Sequence, residues 1–134
     1  MAKRPNKDYV ARNVAHLATI AAEADTLQLP KGILYKVISS GKGAVTEANS
    51  IVSVHYTGER IDGHVFDSSR ENSYPETFRL REVIVGWQIA LRAMRVGDRW
   101  RVYIPSQVGY GDRTIDDIPG GSTLIFDIEL IAVS

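Results

Sequence analysis

The hydrophobic positions change period once along the chain, and the change divides it. From Asp8 the spacing is helical: Tyr9, Val10, Val14, Leu17, Ala18, Ala21 and Ala22 share one stripe, with Asp8 as the expected N-cap. Residues 1–7 ahead of it are polar and expected to be loose, as chain ends are. Leu29-Pro30-Lys31-Gly32 stops the helix, so residues 1–29 form an N-terminal helical extension and 30–134 a separate domain. Beyond Pro30 the period becomes two. Ile33–Ser39 reads as a strand that turns at Ser40-Gly41-Lys42-Gly43. In Ile51–Thr57, Val52, Val54 and Tyr56 face one side while Ile51, Ser53 and His55 face the other. Arg60-Ile61-Asp62-Gly63 is a hairpin-type turn into Val65-Phe66, and Glu76–Leu80 is another short strand.

Helical spacing returns once within the domain. Val83, Trp87, Ala90, Leu91 and Met94 share a face, and Gly97 with Asp98 supplies the stop. Trp100, Val102 and Ile104 then alternate with Arg99, Arg101 and Tyr103. A last strand, Thr123–Val133, turns Leu124, Phe126, Ile128 and Leu130 inward and leaves Asp127 and Glu129 on a polar face. The expected class is α+β, with five to six antiparallel strands wrapped on one short helix. Between Ile104 and Thr123 runs an eighteen-residue connection, PSQVGYGDRTIDDIPGGS. Connections of this length in compact domains are usually functional, and it is expected to form a lid or rim.

Composition narrows the chemistry. With 134 residues, 44% hydrophobic and 24% charged, the chain can bury one core. Lys+Arg and Asp+Glu both number 16, which gives no reason to expect nucleic acid or an acidic membrane surface as partner. The absence of cysteine excludes disulfides, thiolate chemistry and Cys-ligated zinc. The longest apolar runs fall far short of the roughly 18 residues a spanning helix needs. MAKRPNKDY is basic but no apolar stretch follows, so no signal peptide is expected. The expected compartment is the cytoplasm, with a periplasmic or other extracytoplasmic site as the alternative if a leader is removed.

His16, His55 and His64 share no metal-ligand spacing, and Asp116-Asp117 lacks a calcium-loop pattern. Ser68-Ser69 follows Asp67, but no histidine stands in a nucleophile motif. Gly109-Tyr110-Gly111 and Gly120-Gly121 lack the lysine and helix start of a phosphate loop. What remains is a set of aromatic residues at strand ends, helix start and loop: Tyr56, Phe66, Trp87, Tyr110 and Phe126, with the carboxylate of Asp67 among them. Trp87 is either core packing or the floor of a pocket. Asp67 either caps a turn through Ser68-Ser69 or orients groups at the pocket edge.

The stretches VHYTG, VFDSS, EVIVGW, GYG and IPGGSTLIFDIEL, taken together and in this order, resemble the FKBP-type immunophilins, the macrolide-binding peptidyl-prolyl cis/trans isomerases. The resemblance covers about residues 30–133. It implies a half-barrel sheet around the short helix, with an apolar pocket between them and no metal or cofactor. By position it implies Tyr56, Phe66, Asp67, Trp87 and Tyr110 as the catalytic set. Val83, Ile84, Ile118, Phe126 and Phe78 would bind substrate. Trp87 would be the floor, Tyr56, Phe66 and Phe126 the walls, and the Ile84 amide and Tyr110 hydroxyl the polar anchors. Three departures stand out: a short stretch around Phe78, Val108 where the family often carries an aromatic, and the acidic pair Asp116-Asp117 before Ile118.

The implied function is acceleration of X–Pro rotation in protein folding. The implied partners are proline-containing peptides, unfolded proteins and macrolide inhibitors. The alternative is a proline-peptide or macrolide binding module, or a chaperone, without significant turnover. The segment after the linker, Gly32-Ile33-Leu34-Tyr35-Lys36-Val37-Ile38, looks like the macrophage-infectivity-potentiator-like branch, where an N-terminal helical segment commonly dimerises. A homodimer through the N-terminal helix is therefore one expectation, and a helix packed on its own domain is the other.

Overall fold

The computed structural model describes residues 5–134; the first four residues of the polar start lie outside the described residues. Helix α1 spans Lys7–Ala21. Its N-cap is Asn6, whose side chain accepts the Tyr9 N–H at 2.9 Å, rather than Asp8, which sits in the first turn where it favours the helix dipole. The helix ends well before Pro30. Thr26 Oγ1 donates to the Ile20 carbonyl at 2.6 Å, satisfying a carbonyl of the last turn.

The strands are β1 (Leu27–Gln28), β2 (Leu34–Ser39), β3 (Ile51–Glu59), β4 (Val65–Ser68), β5 (Glu76–Arg79), β6 (Arg99–Ile104) and β7 (Leu124–Val133). Helix α2 spans Val85–Ala93, between β5 and β6. All pairings are antiparallel, and the sheet order is β1-β2-β6-β7-β3-β4, with β5 also on the free side of β3. Seven strands replace the expected five to six. The addition, β1, is two residues long, too short to leave a period in the sequence, and exists only because Leu27 and Gln28 lie against Tyr35 and Leu34.

The inner face follows the alternation expected of it. Val52, Val54 and Tyr56 of β3, Trp100, Val102 and Ile104 of β6, and Leu124, Phe126, Ile128 and Leu130 of β7 are buried against Trp87, Ala90, Leu91 and Met94 of α2. Helix and sheet thus enclose one core, and its open end is where the aromatic side chains gather.

The outer face is partly buried as well, which alternation did not announce. Ile20 of α1 packs on Leu34, Tyr103 and Ile125, with Leu17 and Ile61 at the margin. Tyr103 and Ile125 point away from the core, yet are only 3% and 2% exposed because α1 covers them. The helix therefore docks on its own domain. It does so through part of the expected stripe: Tyr9, Val10 and Leu17 are half-buried, but Val14 is 60% exposed, and the most buried positions are Ile20 and Asn13, the latter 2% exposed. Farther along the outer face, Arg99 reaches Asp127 through Nε and Nη2 at 2.9 and 2.8 Å, and Arg101 Nη2 reaches Glu59 at 2.6 Å. These cross-strand pairs account for the polar face of β7.

Candidate active site

The side chains at the open end of the core line a cavity of about 470 Å³, between the start of α2, strands β3 to β5 and β7, and the long loop. The Trp87 indole is its floor. The rings of Tyr56, Phe78 and Phe126 stand nearly perpendicular to it, with interplanar angles of 84°, 84° and 85° and centroid distances of 5.1, 5.5 and 5.2 Å. Phe66 continues the wall, edge-on to Phe126 at 5.7 Å and 90°. Such edge-to-face contacts add to the burial of each ring and fix its tilt. The wall is tight from behind as well: a Cβ placed on Gly58 of β3 would lie 2.6 Å from Phe126 Cε1 and 2.8 Å from Phe66 Cζ.

Besides the rings, the cavity is also lined by the acidic residues Asp67, Glu82, Asp116 and Asp117 and by Tyr110. The Tyr56 hydroxyl donates to Asp67 Oδ2 at 2.6 Å, so the carboxylate is held by a wall residue and caps no turn. The turn after Asp67 is held instead by the two serines: Ser69 Oγ accepts the Tyr56 N–H at 2.8 Å, and Ser68 Oγ accepts the Arg70 N–H at 3.2 Å. Burial, reinforced by the Asp67 carboxylate, pushes the Tyr56 hydroxyl well above its ordinary value. Burial first, and then the charge of Asp67, also raises Tyr110. Both phenols are therefore neutral donors at any physiological pH.

Helix α2 starts later than expected, at Val85 with Ile84 as N-cap, so Val83 and Ile84 form the lip ahead of it. The Ile84 carbonyl accepts from the Trp87 and Gln88 amides at 3.0 and 3.2 Å. Its own N–H finds no protein acceptor among the described residues, one of the orphan donors every helix start leaves, and Ile84 itself lines the cavity.

The long loop closes the other side. Ile115 and Ile118 exchange backbone hydrogen bonds, N to O at 3.0 Å and 2.8 Å, around the two-residue turn Asp116-Asp117. Asp116 takes φ of 50°, a left-handed conformation that Asp tolerates better than most side chains. Ile118 is thereby folded into the cavity wall, 5% exposed. Strand turn β3–β4 ties the rim down: Arg60 Nη1 donates to the Asp117 carbonyl at 2.6 Å, and the His64 ring pairs with the Asp117 carboxylate. That ring holds the Asp117 carboxyl below the usual carboxylate value. The tether is present above the unfolded carboxylate value and is lost as pH falls through the depressed one.

All ten residues expected at the site line this one cavity: Tyr56, Phe66, Asp67, Phe78, Val83, Ile84, Trp87, Tyr110, Ile118 and Phe126. Glu82 and Ile115 line it too and were not anticipated. Ile115 had a signal, its spacing of three from Ile118 across an acidic turn. Glu82 had none beyond its place next to Val83. Among the described residues no group of three or more His, Asp or Glu is arranged to hold a metal ion, and no helix is long and apolar enough to cross a membrane. The cavity offers shape, apolar surface, the neutral Tyr110 hydroxyl and an acidic margin of Glu82, Asp116 and Asp117.

Known proteins are similar to this chain in sequence and in fold. The profile of the FKBP-type peptidyl-prolyl cis-trans isomerase family matches residues 43–131. The macrophage infectivity potentiator of Trypanosoma cruzi is 48% identical over 84% of the chain, and the outer membrane protein MIP of Legionella longbeachae 40% identical over 92%. The chain spans 59% and 53% of the lengths of these two relatives. The crystal structure of a peptidyl-prolyl cis-trans isomerase from Pseudomonas syringae superposes with a TM-score of 0.90 at 36% identity, covering 100% of this chain and 99% of that one.

Proposed function

This chain belongs to the FKBP-type peptidyl-prolyl cis-trans isomerase family, in its macrophage-infectivity-potentiator-like branch, and we propose that it accelerates rotation about X–Pro bonds in peptides and unfolded proteins. The observation that carries the reading is the walled floor: an indole flanked by three perpendicular rings. Residues 30–134 form the proposed isomerase domain and 1–29 the proposed extension, whose helix α1 docks on it.

Rotation about an X–Pro bond breaks no covalent bond. It must surrender amide resonance, against a barrier of about 18–20 kcal/mol for a peptide bond. A twisted amide has less charge separation than a planar one, so it loses less on leaving water for an apolar cavity. The prolyl ring packs on Trp87 between Tyr56 and Phe126, which holds one half of the bond. Ile84 N–H and Tyr110 O–H hold carbonyls on the other half, and the catalytic gain is whatever these contacts add in the twisted state. Asp67, occupied by the Tyr56 hydroxyl, organises the wall and transfers no proton.

Two results follow from this. Tyr110→Phe removes one neutral hydrogen bond worth about 1 kcal/mol, so kcat/KM on a short X–Pro peptide should fall by about tenfold or less. The pH profile of kcat/KM should change by less than about threefold between about pH 5 and 9. The sign follows from the shifts: a raised phenol stays protonated up to its ordinary value near 10 and is lost only above it. A titrating step near neutrality would sink the organising role of Asp67.

The direct test is a coupled isomerisation assay on an X–Pro peptide with a macrolide as inhibitor. Acceleration that the macrolide abolishes supports the isomerase. Macrolide binding without acceleration at micromolar protein leaves the binding module. The name of the Legionella longbeachae relative supports the extracytoplasmic alternative over the cytoplasm, and cell fractionation distinguishes them. A homodimer through α1 has only the helix's outward face available, where Val14 lies exposed, and a monomer mass in sedimentation of the full chain would remove it.

A further inference from the structure

We infer that helix α1 is a strut for the rim of the pocket, and that Asn13 is a positioning residue for catalysis acting through Thr123 and Ser122. The inference rests on the isomerase reading above. An asparagine 2% exposed on a docking helix costs stability unless its amide is fully used. Here both ends are used: Nδ2 donates to the Tyr9 carbonyl at 2.8 Å, and Oδ1 accepts the Thr123 N–H at 2.7 Å. The β6–β7 ladder ends at Ile104 and Leu124, so the Thr123 amide lies one residue beyond the last rung. Helix α1 supplies the acceptor that the sheet does not.

A second contact acts beside it. Tyr9 and Ser122 share a hydrogen bond of 2.6 Å, and Ser122 Oγ itself donates to the Pro119 carbonyl at 2.6 Å. A hydroxyl has one proton, so Tyr9 is the donor to Ser122. Pro119 directly follows Ile118 of the cavity wall. On the other limb of the loop, Gly121 N–H donates to the Gly111 carbonyl at 2.8 Å, and Gly111 directly follows Tyr110. The turn at 119–123 is thus anchored to α1 on one side and to both cavity-bearing limbs on the other.

The layering leaves no slack. Gly121 has φ of +82°, and a Cβ there would fall 2.5 Å from Val10 Cγ2 of α1. A Cβ on Gly120 would fall 2.1 Å from the Asp112 carbonyl oxygen. The other end of α1 is held differently, by the apolar contacts of Ile20 with Leu34, Tyr103 and Ile125. Docking alone could have been achieved with apolar residues at both ends. The polar end is the one aimed at the loop.

The full chain with Asn13→Ala, Tyr9→Phe and Ile20→Ala tests the inference, with each variant assayed at a temperature where circular dichroism shows it folded. Asn13→Ala should raise KM for an X–Pro peptide about tenfold with kcat changed by less than about threefold, and Tyr9→Phe should raise KM about threefold. Amide exchange at Ile118, Gly121 and Thr123 should quicken by at least about tenfold in Asn13→Ala. Ile20→Ala should lower Tm at least as much while leaving KM and those amides unchanged. If Ile20→Ala raises KM as Asn13→Ala does, or if Asn13→Ala moves neither KM nor the three amides, the strut is refuted. Should the wild-type chain bind proline peptides without turnover, the isomerase reading fails separately, and peptide Kd with the same amides still decides the inference.

Discussion

Trp87→Ala is expected to lower kcat/KM on an X–Pro peptide by about 10- to 100-fold, the equivalent of losing about 1.5–3 kcal/mol of apolar contact with the prolyl ring. The indole is 4% exposed and meets Tyr56, Phe78 and Phe126 edge-on, so its removal also leaves three walls without the surface that sets their tilt. A stability loss of about 3–5 kcal/mol accompanies a deletion of this size in a core. Because a domain is stable by only about 5–15 kcal/mol, Trp87→Leu belongs beside it. Leucine keeps an apolar floor without the flat face, and its kcat/KM should fall between wild type and alanine. Chemical denaturation and the coupled assay separate the two losses. A folded Trp87→Ala chain with undiminished kcat/KM would remove Trp87 from the site.

Gly58→Ala is the second large effect, and the residue need not touch substrate. Gly58 lies on β3 opposite Phe126 and Asp67, behind the pair formed by Phe66 and Phe126. A methyl group there would stand within 2.6 Å of one ring and 2.8 Å of the other. Phe126 is backed by Trp87 at 5.2 Å and Tyr56 at 6.3 Å, so the rings can relieve the clash only by moving into the cavity. Overpacking of this kind costs about 1–3 kcal/mol in stability. Narrowing the wall should cost kcat/KM at least about tenfold, with macrolide affinity falling in step. Loss of Tm with kcat/KM intact would show that the rings find another way to move and that the Phe66–Phe126 wall does not set the cavity's shape.

Much of the site was legible because its residues sit in elements with strong local signals. The alternation of Val52, Val54 and Tyr56 places Tyr56 on the inner face of a strand whatever the partner strand is. The spacing of Trp87, Ala90, Leu91 and Met94 does the same for the floor. Phe78 was aligned across a short segment and still reaches the cavity, since β5 pairs with β3 in a register that sets Phe78 opposite Val52. Glu82 and Ile115 were missed. Neither breaks a pattern, and each reaches the cavity because a short helical turn or a two-residue hairpin aims it there.

The helix at the start of the chain shows where local pattern stops being informative. Of its expected apolar stripe of Tyr9, Val10, Val14, Leu17, Ala18, Ala21 and Ala22, only Tyr9, Val10 and Leu17 are half-buried, and the fully buried positions are Asn13 and Ile20. An asparagine counts as polar in any periodicity, and its burial is favourable because the Tyr9 carbonyl and the Thr123 amide use both ends of its side chain. Tyr103 and Ile125 alternate with core residues, so the pattern assigns them to solvent, and a helix from a hundred residues away in the chain covers them.

By itself, the sequence determined the period of each strand and helix, the inward set of aromatic side chains and the order of the motifs that place the chain in its family. These are properties of short stretches, carried by side-chain direction and turn chemistry within a few residues. The tertiary structure alone decided which edges meet: that Asp67 is held by Tyr56, that Asp117 is tied to Arg60 and His64, and that Asn13 holds the base of the rim. Each of these bonds joins residues whose separation in the chain carries no signal. A hydrogen bond acts over about 3 Å, and only the folded chain sets which donors and acceptors come that close.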